Sequence, residues 1–203
     1  MARFGINTER AFGIGIPVLR TLAREIGRDH ALAAELWESG THEARILATM
    51  IDDPKLVESA QMERWVRDLD SWDLCDQACG NLFRRTRFAY AKAARWSRSE
   101  REFTKRAGFA LMATLASGDQ AASDGKLRAF LPLIASGASD QRNFVKKAVS
   151  WALRGIGKRN RSLHRAALRT SERLAARESR AARWVGGDAR RELLRVAVQR
   201  GWT

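Results

Sequence analysis

The sequence predicts an all-α fold built from stacked helix pairs in a single domain, residues 1–203, and three observations predict it. Apolar residues recur at helical spacing almost everywhere, with no sustained alternation of the strand type. Only three prolines occur, and a composition of 45% hydrophobic and 30% charged residues excludes a disordered chain. Short polar breaks mark out helix pairs of about 35 to 45 residues, which suit a HEAT-like helical-repeat solenoid with a concave face better than a four-helix bundle.

In chain order, the helices are separated at Gly27-Arg28-Asp29, Ser39-Gly40-Thr41, Asp52-Asp53-Pro54, Asp70-Ser71, Ser117-Gly118-Asp119, Ser136 to Asp140 and Gly155 to Asn160. These breaks give roughly ten helices, most only a few turns long, and their short connections imply antiparallel neighbours. The helix after the fourth break has Asp70 or Ser71 as its cap, and Asp73 sits in its first turn, where the helix dipole favours an acid. Glu102 to Met112 reads as a helix rich in small and apolar residues, Asn143 to Lys158 as a two-faced helix, and Arg161 to Arg177 as a helix with an arginine ladder.

No apolar run approaches the roughly 18 residues of a membrane span, and Met1 to Pro17 lacks the pattern of a signal peptide, so the cytoplasm is the expected compartment. Cys75 and Cys79 lie four apart on one expected helix and read as reduced, packed thiols. His30, His42 and His164 are scattered, and neither zinc-ligand spacing nor a P-loop, dinucleotide fingerprint or nucleophile elbow appears. The expectation is therefore no metal and no organic cofactor.

The net charge of +14 is unevenly placed. Met1 to Asp140 holds 20 Lys and Arg against 19 Asp and Glu, whereas the remainder holds 17 against 4, so the last third carries +13. Such an asymmetry is the electrostatic footprint of a protein that meets a polyanion, a solubilising basic surface being the plainer alternative. Asn143, Lys147, Trp151, Arg154 and Lys158 share one face of their helix, and cations interleaved with an indole and an amide suit phosphates and sugars, a solvated face with Trp151 half-buried under Lys and Arg stems being the alternative. Arg161, Arg165, Arg169, Arg173 and Arg177 recur every fourth residue, where like charges repel, so a ladder of this kind is best satisfied by an external anion such as a DNA backbone. Screening by Glu172, Glu178 and solvent is the other reading.

Asp76 follows Trp72 by one turn in Ser71-Trp72-Asp73-Leu74-Cys75-Asp76, on a face shared with Cys79 and Phe83, and no Lys or Arg stands three or four residues to either side. A carboxylate and an indole facing a polyanion can steady a cation that develops in DNA; an ion pair or helix cap from a neighbouring element is the alternative. Arg106, in a helix of small and apolar residues, is suited to a phosphate contact or to a salt bridge with Glu102.

These motifs resemble the bacterial alkylpurine DNA glycosylases of the AlkD type, which are built from HEAT-like repeats. The resemblance is carried by Phe12-Gly13-Ile14 with Pro17, Leu19 and Arg20; His42-Glu43-Ala44-Arg45; Ser71 to Asp76; Lys105-Arg106-Ala107-Gly108-Phe109; and Phe144 to Arg154. It implies a catalytic Asp76 that stabilises an oxocarbenium-like sugar and positions water, with Trp72 and Trp151 lining the deoxyribose and Arg106 in the cleft. It also implies excision of cationic N3- and N7-alkylated purines from double-stranded DNA without a pocket for a flipped base, by a monomeric, nucleoid-associated bacterial protein that needs no obligate protein partner. DNA contacts are then expected from Arg106, Asn143, Lys147, Arg154, Lys158, Arg161, Arg165 and Arg169. Family members usually carry helices before the Phe-Gly-Ile turn, which this chain reaches almost at once, so a smaller N-terminal grip on DNA is expected. A non-catalytic nucleic-acid-binding or protein-interaction scaffold is the rival expectation.

Overall fold

The computed structural model describes residues 5–202. Among them there is no strand, and two compact units follow one another, the first ending at Ala89 and the second beginning at Tyr90.

In the first unit, α1 (Ile16–Ile26) starts with Pro17, whose fixed φ suits a first helical turn, and ends at Gly27, whose φ of 76° terminates it. Asp29 caps α2 (His30–Glu38) by accepting the Leu32 N–H at 2.9 Å. Helix α3 (His42–Ile51) is the centre of the unit, because Ile46, Leu47, Ala48 and Ile51 bury it against its neighbours α1 and α2. Trp37 of α2 stacks on Trp65 of α4 (Ser59–Arg67) with ring centroids 4.0 Å apart. Helix α5 (Trp72–Gln77) is only six residues long and runs directly into a π turn (Ala78–Leu82) and a 3-10 turn (Phe83–Arg85), with α5 and the π turn both resting on α3.

All of α6 (Ala89–Trp96) but its first residue belongs to the second unit, where α7 (Glu102–Gly118) follows it. A Cβ on Gly108 would lie 2.3 Å from the Ser97 nitrogen, so only glycine permits this approach of α7 to the end of α6. Short helices α8 (Asp124–Arg128) and α9 (Leu131–Gly137) lead to α10 (Asn143–Gly157), α11 (Arg161–Ala175) and α12 (Arg180–Arg200). Helix α10 packs between α7 and α12, while α11 packs on α12, α10, α8 and α9. The unit therefore has one row of helices, α7–α10–α12, and a second row containing α8, α9 and α11.

The structure revises the expected elements at two places. The helix bearing Asp76 is not continuous, since the π turn interrupts it, and the ladder helix stops at Ala175, which leaves Arg177 in the following turn. Asn143 to Gly157 is helical as expected, with Lys158 as its C-cap.

Candidate nucleic-acid interface

Trp72 and Asp76 occupy the first and fifth positions of α5 and are both partly exposed. Cys79 and Phe83, expected on the same face, are fully buried. The reason is the π turn, whose wider hydrogen-bonding ring breaks the α-helical register after Ala78, so the surface pair ends where the core begins. Neither Asp70 nor Ser71 closes α5 with a side-chain cap: Ser71 holds the cap position without such a bond, and Asp70 accepts from Asn7 Nδ2 at 2.8 Å.

Asp73, in the first turn, is joined to His42 Nε2 at 2.9 Å. Although burial alone would depress it, the hydrogen bond and charge of Asp73 raise the His42 imidazole above its ordinary pKa; His42 in turn holds the Asp73 carboxyl low against its own burial. Glu43, only 2% exposed, accepts the N–H groups of Phe12, Gly13 and Ile14 at 2.9, 2.7 and 3.2 Å. Burial works against ionisation there, but the backbone donors hold its pKa below the ordinary value. Arg45 donates to the carbonyls of Trp37 and Asp68. The Phe-Gly-Ile and His-Glu-Ala-Arg motifs thus interlock as scaffold.

Arg20, Arg24 and Arg85 line a cleft of about 610 Å³ in the same unit, together with Met50 of α3 and Asn81 of the π turn. Asn81 donates to Thr49 and to Gln77, the residue after Asp76, so the π turn ties this cleft to the end of α5. Burial and then the charges of Arg84 and Arg28 lower the Arg85 pKa, as expected where cations crowd together. This cluster was invisible in a charge count, because the first 140 residues balance overall and the cleft gathers arginines some 60 positions apart in the sequence.

In the second unit, Arg106 is 5% exposed and donates to the Phe144 carbonyl at 2.6 Å. It turns inward and fixes the start of α10. Lys105 reaches Asp140 at 3.1 Å, where the Arg142 hydrogen bond is the chief cause that brings the Asp140 carboxyl down to about 2. The Lys-Arg-Ala-Gly-Phe motif is accordingly a clamp between α7 and the entry to α10.

Asn143 and Lys147 are exposed on α10, and Trp151 is half-buried. Trp151 lines a cleft of about 410 Å³ with Ser117, Gln120, Lys158, Arg159 and Arg200. Arg154 and Lys158 are paired with Glu192 of α12, and Arg154 also lies 3.7 Å from Asp188. Two of the four polar residues expected to meet an anion are therefore already opposed by acids. Those acids were unreadable from local spacing, since they lie about 35 residues downstream. Arg161, Arg165 and Arg169 are exposed on α11, in the other row. Trp72 and Asp76 belong to the first unit, and Arg106 and Trp151 to the second.

Among the described residues no three His, Cys, Asp or Glu side chains are grouped to hold a metal ion, and no helix is long and apolar enough to cross a membrane.

The sequence pattern of the family described as DNA alkylation repair enzyme matches residues 1–193. A solved structure described as a new family of proteins related to the HEAT-like repeat DNA glycosylases, with affinity for branched DNA structures, superposes with a TM-score of 0.76 at 20% identity, over 97% of this chain and 85% of the other. A designed armadillo repeat protein in complex with a (KR)4 peptide gives a TM-score of 0.44 at 16% identity, over 92% and 81% of the two chains. No curated protein matches the chain.

Proposed function

The chain belongs to the DNA alkylation repair enzyme family, and from that premise we propose that it is a monofunctional DNA glycosylase that hydrolyses the N-glycosidic bond of cationic N3- and N7-alkylated purines in double-stranded DNA. The observation that carries this reading is the partly exposed Trp72–Asp76 pair on α5, followed at once by a π turn whose Asn81 lines an arginine cleft. A protein that only grips phosphates gains nothing from a carboxylate beside them, because the two repel unless positive charge develops between them.

Alkylation at N3 or N7 gives the purine a positive charge, so the base departs with the glycosidic electron pair and becomes neutral. Positive charge then develops at the sugar C1′, where the Asp76 carboxylate stabilises it and orients the attacking water. Water adds its oxygen to C1′ and releases a proton, which leaves an abasic site. The face of the Trp72 indole favours the cationic sugar. Arg20, Arg24 and Arg85 in the first unit, and Asn143, Lys147 and Trp151 in the second, are proposed to contact the DNA backbone and sugars. Arg106 contributes by positioning α10. Selectivity follows from the lability of the cationic lesion, and the chemistry uses no metal or organic cofactor. A chromosomal substrate places the protein in the cytoplasm, acting as a monomer.

The test is incubation of the purified protein with DNA that contains 7-methylguanine, followed by mild alkaline cleavage of abasic sites. Strand scission dependent on the protein is expected; intact strands at high enzyme excess would move the assignment to a second reading. In that reading the chain is a non-catalytic DNA binder, which the relative with affinity for branched DNA favours. It expects salt-sensitive binding without base release.

A further inference from the structure

We propose that the second unit carries a second nucleic-acid surface on its α8–α9–α11 row, with which the chain holds a DNA segment other than the one at Trp151. This inference rests on the reading of the protein as a DNA binder. Its basis is a cleft of about 410 Å³ rimmed by Arg128 of α8, Arg169 and Arg173 of α11, and Arg177 of the turn that follows, with Leu131 and Leu174 in its floor. The cleft shares no lining residue with the cleft at Trp151, which is formed by α7, α10 and the ends of α10 and α12.

The charges on the two rows have different fates. On α10, Arg154 and Lys158 face Glu192 and Asp188, so much of their charge is cancelled within the protein. In the α11 cleft, Arg128 donates to the Ser162 hydroxyl at 3.0 Å, Arg173 to the Thr170 hydroxyl at 3.3 Å and Arg177 to the Ala135 carbonyl at 2.7 Å. Hydroxyls and carbonyls orient a guanidinium without neutralising it. Pinned and still charged, the three forks are pre-organised for phosphate oxygens. Glu172 and Glu178 are the acids of this stretch; both are exposed and neither lines the cleft.

The extent of the ladder identifies a polymer as the ligand. From Arg161 to Arg173, the last ladder residue on α11, the rise is about 18 Å at ~1.5 Å per residue, longer than a single small anion requires. A row of arginines this long, repelling one another at four-residue spacing, matches the repeated charge of a nucleic-acid backbone. Because the row is not the one that bears Trp151, its occupant is a separate segment.

The experiment is sedimentation equilibrium of the full chain with short fluorescent duplexes, supported by capture of a labelled duplex on beads that carry a second one. One chain with two duplexes, and protein-dependent capture, are expected for the wild type. In the triple variant Arg128→Gln/Arg173→Gln/Arg177→Gln, binding of the second duplex should weaken by more than about tenfold, while binding of one duplex persists and the far-ultraviolet circular dichroism is unchanged. A wild-type stoichiometry of one duplex per chain would overturn the inference and leave the glycosylase reading standing. Bridging that requires two protein chains, or that survives the triple substitution, would also overturn it. A wild type that binds no duplex would remove both readings.

Discussion

At the scale of single residues, the charged side chains divide into those occupied by the fold and those left to act. His42, Glu43, Arg45, Lys105, Arg106, Arg154 and Lys158 all serve internal bonds. The His42–Asp73 pair has a readable pH signature. Its imidazole is raised above the ordinary 6.5, so its contribution to stability is complete below that value and is lost as pH rises through the raised pKa of the folded state. Asp73 is lowered from 3.8, so its contribution holds above that value and disappears as pH falls through its depressed pKa. Urea midpoints of the wild type should therefore decline on the alkaline side of pH 6.5, and His42→Gln should flatten that decline. A His42→Gln protein with the wild-type pH profile would show that the pair contributes nothing.

At the scale of elements, two contacts decide whether neighbouring segments stay together. The Phe12–Ile14 turn hangs on one buried carboxylate, and charged acceptors of this kind are worth roughly 1.5–3 kcal/mol each. Glu43→Gln should cost about 2 kcal/mol and raise amide exchange at Phe12 to Ile14 ahead of the rest of the unit. Gly108→Ala should destabilise the α6–α7 crossing by at least roughly 1–3 kcal/mol, since backbone atoms of Ser97 and Trp96 occupy the methyl position. Thermal unfolding of the two variants measures both effects. Helical periodicity made most elements legible, because amphipathic spacing and Gly, Asp and Ser breaks are local signals: α10 and the breaks after Ile26, Glu38 and Ile51 stand where expected. The π turn was not legible, since no residue type marks it, and it breaks the helical register that was expected to keep Cys79 and Phe83 on the face of Asp76. Nor could spacing show that Asp73 belongs to His42, Arg106 to Phe144 or Arg154 to Glu192, pairs that lie 31 to 38 residues apart. Resemblance to a family identified those motifs without distinguishing scaffold from surface.

At the scale of the whole molecule, the last third owns the net charge, yet the available cations are spread more widely than the composition suggests. Arg20, Arg24 and Arg85 add a cationic cleft in the first two thirds, whose charges balance. With about six phosphates contacted, duplex affinity should fall by roughly 10³ between 50 and 200 mM salt. Lys147→Gln should reduce the slope of log affinity against log salt by about one, whereas Arg154→Gln should change it less, its charge being opposed by Glu192. Equal slopes for the two variants would mean that the α12 acids do not decide which cations meet DNA. Binding alone does not establish chemistry, which in the proposed reaction depends on Asp76 stabilising the charge that develops on the sugar. Single-turnover release of 7-methylguanine by Asp76→Asn, compared with wild type on the same duplex, tests it most directly. A loss of at least about 10²-fold in rate is expected, with duplex affinity retained. Release at the wild-type rate by the Asn variant would contradict it.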